Sequence, residues 1–190
     1  MPRLVRALLL LEGLALALGA AGMAALGVPP VASYHPYRDA LAFFLLYFGL
    51  LGLEELLQRA FPDTARASEA LLRRAAGGIP EGAALALAAA SALAEEVFFR
   101  GFLYTLFARL AGLPAAVGLS ALVFALFHPV PDRRAWGYPV YVFLAGVAFA
   151  LVFALTGSLL PGVLAHFLYN ARGFEEARAG QLPPGSRYLG

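Results

Sequence analysis

The residues that could do chemistry stand where an apolar chain should have none. The run Ala94-Glu95-Glu96-Val97-Phe98-Phe99-Arg100 is preceded by an apolar stretch over 83–93 and followed by another over 102–106. Glu96 and Arg100 stand four apart on one helix face and can pair, which lowers the burial cost of both. Glu95 projects about 100° away from Glu96, towards neighbouring helices. With no partner on its own helix it is free to accept or donate a proton. Two of the three histidines also lie in apolar helices: His128 ends Phe124-Ala125-Leu126-Phe127-His128, and His166 opens His166-Phe167-Leu168-Tyr169-Asn170. His166 and Asn170 share a helix face and can hydrogen-bond one target. A lone membrane histidine is more often a helix-to-helix hydrogen bond than a ligand. Three separate helices each supplying acid or imidazole point instead to one shared interior site.

The elements that must carry these groups follow from composition. Of 190 residues 61% are hydrophobic and only 14% charged, with a mean hydropathy of +0.75, far from the roughly 25% charge of soluble domains. The chain therefore reads as an integral membrane protein. At roughly 20 residues per crossing, about six helices fit with no sizeable extramembrane domain. The absence of cysteine excludes disulfides, thiolate metal sites and a cysteine nucleophile, and a formal charge of +2 argues against a nucleic-acid surface. Six crossings are predicted, over 4–28, 40–53, 81–110, 113–131, 138–155 and 159–171. The first contains Glu12 and is read as a retained helix rather than a signal peptide. Residues 58–78 are arginine-rich and amphipathic, a surface segment closed by Gly77, Gly78 and Pro80. The tail from Gly173, with Pro183, Pro184 and Gly185, reads as poorly ordered. The expected fold class is thus all-α, a polytopic bundle of about six transmembrane helices, divided into an N-terminal hairpin with linker (1–80), a catalytic core (81–172) and a tail (173–190).

Basic residues collect in cytoplasmic loops, and with the N-terminus inside eleven of the fourteen arginines fall on the inner side; Arg38 and Arg109 fall outside and Arg100 on neither. Both termini are then cytoplasmic, in a bacterial inner membrane, with Trp136, Tyr138 and Tyr141 as aromatic anchors at the inner interface. Glu95 lies about 14 residues into its helix, roughly 21 Å and near mid-bilayer if the helix is upright. His128 and His166 come out close to the inner loops, so tilt, or a third helix that begins in the cytosol, must bring them together around a cavity open to the cytoplasm.

Three motifs in order resemble the CAAX prenyl protease and bacteriocin-processing family of intramembrane proteases: Glu-Glu-x-x-x-Arg at Glu95, Glu96 and Arg100, Phe-x-x-x-His at Phe124 and His128, and His-x-x-x-Asn at His166 and Asn170. The resemblance covers roughly residues 84–172. A second Glu-Glu-x-x-x-Arg, at Glu54, Glu55 and Arg59, is read as chance, because it lies at a helix end where charge costs little.

The resemblance implies peptide-bond hydrolysis within the membrane by one of two routes. In the first, Glu95, held with His128, deprotonates a water that attacks the scissile carbonyl, His166 and Asn170 stabilise the oxyanion, and Glu96 and Arg100 position the others. In the second, Glu95, His128 and His166 hold zinc or another divalent metal. The missing His-Glu-x-x-His signature leans towards the metal-free route. A serine triad using Ser91 or Ser120 fits the motifs less well. The implied partners are the bilayer and a peptide or membrane-protein substrate, with or without a lipidated tail. The alternatives are a proton-coupled carrier and a non-catalytic, immunity-type membrane partner. The small residues Ala84, Ala88 and Ala92 permit close helix contact within one chain or between two, so oligomeric state is left open.

Overall fold

The structure is a computed structural model that describes residues 3–29, 33–76, 79–128 and 132–178, without the side chains of Arg3, Leu4, Ala75, Ala76 and Glu81. Gly77, Gly78, Pro183, Pro184 and Gly185, on which the sequence reading drew, lie outside the described residues. Among the described residues the chain is all-helical: α1 (Arg3–Ala25), α2 (Pro36–Ala60), α3 (Pro62–Ala76), α4 (Glu81–Glu95), a π-helical segment (Glu96–Tyr104), α5 (Thr105–Ala111), α6 (Leu113–Leu126), a 3-10 turn (Arg133–Ala135), α7 (Tyr138–Thr156) and α8 (Leu160–Arg178).

Among the described residues four helices are long and apolar enough to cross a membrane: Val5–Ala25, Pro36–Ala60, Gly82–Ala111 and Arg133–Thr156. The chain is a polytopic helical membrane protein, and large side chains such as Leu10, Phe44 and Leu155 face outward, as lipid contact requires. The six predicted crossings are therefore four full spans and two lesser helices. Helix α6 has only 14 residues, and the second half of α8 carries Arg172, Glu175, Glu176 and Arg178. Helix α2 outruns its predicted end, because Glu54 to Arg59 are good helix formers and pair along it, Gln58 with Glu54 and Arg59 with Glu55. The amphipathic segment forms as α3. Its Thr64 hydroxyl donates to the Arg134 carbonyl at 3.1 Å and accepts from the Gly137 amide at 3.3 Å, which fastens α3 to the start of α7.

Two expectations fail. Gly173 does not begin an unordered tail: α8 runs through it to Arg178, held by Arg172–Glu176 and Arg178–Glu175 pairs and by Ala177 packing against Leu72 and Phe174. Tyr141 is no interfacial anchor, being buried with Phe99, Phe124 and Val142, while Trp136 is well exposed and stacks edge-on with Phe61. Helix α8 packs between α4 and α2, α1 lies along α4 and the π segment, and α6 and α7 close the other side. Ala84, Ala88 and Ala92 are fully buried; Ala84 packs against Val5 of α1 within the same chain.

Candidate active site

A turn at Gly112, whose φ of 81° favours glycine, folds the chain from α5 into α6. Glu95 and His128 lie nearly equal distances before and after that turn, so an antiparallel hairpin brings them level. The rod Gly82–Ala111 has 30 residues, about 45 Å at helical rise against a hydrocarbon core of about 30 Å. The depth gap between Glu95 and the histidines thus closes.

Glu96 is 1% exposed and pairs with Arg100 at 3.1 Å, as the four-residue spacing predicts. Arg100 also donates to the Gly146 carbonyl at 3.2 Å, and its guanidinium lies 4.4 Å from the Phe124 ring centre and 4.8 Å from that of Phe149. The buried cation is thus met by a carboxylate, a carbonyl and two aromatic faces. The Phe124 ring continues to His128, 4.6 Å centre to centre. His166 Nδ1 lies 3.2 Å from the Oε1 of Glu96, so an Nδ1–H there donates to the carboxylate.

Glu95 meets both imidazoles. Its Oε2 stands 3.6 Å from His128 Nε2 and 3.8 Å from His166 Nε2, beyond hydrogen-bond length, and has no hydrogen-bond partner in the described residues. His128 Nδ1 is 2.8 Å from the Phe124 carbonyl, which only an Nδ1–H can satisfy. Both rings therefore commit Nδ1 to an acceptor and turn Nε2 towards one carboxylate oxygen.

The other oxygen of Glu95 accepts a 2.7 Å hydrogen bond from Ser91, and Asn170 donates to the same hydroxyl at 3.3 Å. The expected common target of His166 and Asn170 is thus divided: the ring goes to the two glutamates and the amide to Ser91. Ser91 is the residue the sequence reading undervalued; its spacing one turn before Glu95 was the available signal. Ser120 instead points back to the Val117 carbonyl of its own helix. His35 caps the start of α2, accepting from the Arg38 amide.

A cavity of about 560 Å³ opens onto this cluster, lined by Glu95, His128, His166 and Asn170, with Tyr138 and Glu54 on its walls. Glu54 also takes Arg172 at 3.5 Å. The second Glu-Glu-x-x-x-Arg therefore lends one wall residue to the cavity, while Glu55 and Arg59 pair at the exposed side. Among the described residues no group of three His, Asp or Glu side chains is close enough together as placed to hold a metal ion.

No curated protein and no solved structure matches the chain. Residues 80–172 do match a known family, and the matched segment contains Ser91, Glu95, Glu96, Arg100, Phe124, His128, His166 and Asn170. The model that this segment matches is that of the Rce1-like family, described as type II CAAX prenyl endopeptidase Rce1-like.

Proposed function

We propose that the protein is an intramembrane endopeptidase that hydrolyses a peptide bond with a water activated by Glu95. The observation that carries this reading is the Oε2 of Glu95, unpartnered and flanked by two imidazole Nε2 atoms at the end of a cavity. A carboxylate oxygen facing the Nε2 lone pair of His128 needs a hydrogen-bearing molecule between them, and a water drawn in from the cavity meets that need. His128, 28% exposed at its side chain, is the movable wall that would admit it.

Glu95 takes a proton from the water as its oxygen bonds to the scissile carbonyl carbon, with His128 Nε2 accepting the second water hydrogen. Charge then develops on the carbonyl oxygen. An imidazole with carboxylates at both nitrogens can carry two protons, and His166 then donates Nε2–H to that oxygen while Asn170 swings its amide from Ser91 to join it. As the C–N bond breaks, Glu95 returns its proton to the leaving amine. Glu96 and Arg100 touch none of the reacting atoms and orient His166 and Phe124. Leu57, Leu71, Leu72 and Phe174 on the cavity wall suit an apolar stretch of a membrane-protein or lipid-bearing peptide. We place both termini and the cavity mouth on the cytoplasmic side, on the arginine asymmetry.

The test is cleavage of a membrane-anchored fluorogenic peptide by the purified protein. Glu95→Gln is expected to lower kcat by at least about 100-fold while circular dichroism and melting stay those of the parent. Normal turnover by Glu95→Gln overturns the reading. Activity is expected to survive a strong chelator; loss on chelation with recovery on zinc addition would establish the metal route instead.

A further inference from the structure

One charged group on the cavity wall has no part in this mechanism. Glu54 stands near the end of α2, outside the segment that matches the family. Of the charges that act on it Arg172 is the one cation, whereas Glu69 and Glu176 carry its own sign. That cation is taken first by Glu176, from Nε to Oε1 at 2.7 Å, and its Nη1 reaches the Oε2 of Glu54 only at 3.5 Å. Gln58, one turn along α2, donates to the other oxygen of Glu54 at 3.1 Å. A neutral amide and a shared, distant guanidinium thus hold the carboxylate in place without matching its charge.

Between Glu95 and Glu54 the wall is aromatic. Tyr138 lies within the field of Glu95, its ring centre is 6.2 Å from that of Tyr141, and Tyr141 is 6.4 Å from Tyr169, whose side chain reaches Glu54. Tyr141 is 7% exposed and lines the cavity. Tyr169 and Glu54 both act on it, yet its buried hydroxyl has no partner at hydrogen-bond geometry among the described residues. A buried phenol in that state calls for a partner from the cavity. The hydroxyl alone accepts a donor or an acceptor; the carboxylate beside it decides the sign. An ammonium or guanidinium group can bond both oxygens and lie among tyrosine rings, whereas an anion would be repelled.

We infer that Glu54, together with the Tyr141 hydroxyl, forms a specificity-determining site for a basic side chain of the substrate, a lysine or arginine near the bond that Glu95 cleaves. The role of that bond rests on the peptidase reading; the binding of the cationic side chain does not. An entering cation takes Glu54 from Arg172, which keeps Glu176, so no charge is stranded. Membrane-borne chains bring this chemistry with them, since their apolar stretches end in basic residues on the cytoplasmic side. The Leu71, Leu72 and Phe174 wall meets the apolar stretch, and Glu54 meets its charged end.

Two measurements test it. In the first, a single lysine is walked through the positions flanking the scissile bond of the membrane-anchored fluorogenic peptide, each version being compared with glutamine at the same place. At one position the parent is expected to prefer lysine by about 10-fold in kcat/KM, the worth of a charge-assisted hydrogen bond. Glu54→Gln is expected to bring that ratio close to one, and Tyr141→Phe to lower it to about 3-fold with the parental melting temperature, because the hydroxyl it removes has no partner. The ratio compares two peptides on one protein, so a partial loss of folding does not move it. A parent that cuts the two series alike, or a Glu54→Gln protein that keeps the preference, overturns the proposal. In the second, the labelled peptides are titrated with Glu95→Gln protein and followed by fluorescence anisotropy. A lysine version is expected to bind about 10-fold more tightly than its glutamine partner at low salt, with the difference shrinking as salt is added. Lysine peptides that bind no more tightly overturn the proposal, whether or not the protein cleaves anything. A parent with no turnover would count against the peptidase reading, and the binding measurement would still decide the cation site.

Discussion

Arg100 is the residue on which the site's charge balance turns. Its guanidinium is 1% exposed and bonds Glu96, which in turn receives His166. Removing one partner of a buried pair strands the other, at a cost of about 3 to 5 kcal/mol. Arg100→Leu is therefore expected to lower stability by that amount, read as a fall in the melting temperature of the detergent-solubilised protein. Arg100→Lys is expected to recover only part of it, because an ammonium cannot both bond Glu96 and lie flat against Phe124 and Phe149. A leucine variant as stable as the parent would remove the pairing from the account. The pair was legible in the sequence because four residues along a helix is a contact distance. The Ser91 hydroxyl under Glu95 has the same spacing but no charge, so that spacing was its one signal and a weaker one, shared with any serine buried for packing.

At the scale of elements, what the sequence left hidden is the π-helical segment Glu96–Tyr104. A widened turn is rare and gathers at functional sites, and this one begins at the motif glutamate. Its neighbours supply a physical setting: α1 comes close through Gly19 and Gly22 on to Phe98 and Phe102, and that approach depends on a helix remote in sequence. On the opposite side α8 comes close through Gly162, where a Cβ would stand 2.9 Å from the Oε2 of Glu96. Gly162 lies one turn before His166 on the same face. Gly162→Ala is expected to push the Glu96 carboxylate off His166 and to lower kcat about 10-fold, with KM held, since about 1.4 kcal/mol of lost orientation is a tenfold change. Steady-state kinetics on the peptide reporter reads this directly. An alanine variant with parental kcat would mean that the Glu96–His166 contact does not position the ring. The helices themselves were mostly legible from apolar runs and turn residues. Their ends were less so, because Glu54 and Gly173 mark a change of surroundings and not the end of a helix.

Across the whole molecule, one asymmetry organises the rest. The cavity, α3, and the charged ends of α2 and α8 gather at one end of the bundle, whereas the turn at Gly112 and the start of α2 at Pro36 lie at the other. Arginines such as Arg59, Arg66, Arg73 and Arg133 occupy the cavity end, and Arg38 and Arg109 the far end. Arg109 is satisfied there by the Leu26 carbonyl and Arg38 by Asp39, so these two cations are held by the protein. At the cavity end Arg59 pairs with Glu55 and Arg66 with Asp63. If the proposed orientation holds, Arg74 faces the cytoplasm and Tyr37, 84% exposed, faces the opposite side. The chain has no cysteine, so a single cysteine can be placed at either position without a background. In intact cells an impermeant maleimide is expected to label Tyr37→Cys and to leave Arg74→Cys untouched until the membrane is opened. The reverse pattern would turn the bundle over and put the cavity mouth outside. A substrate would then have to reach Glu95 from the outer surface, and any cytosolic peptide tail would be excluded from the site.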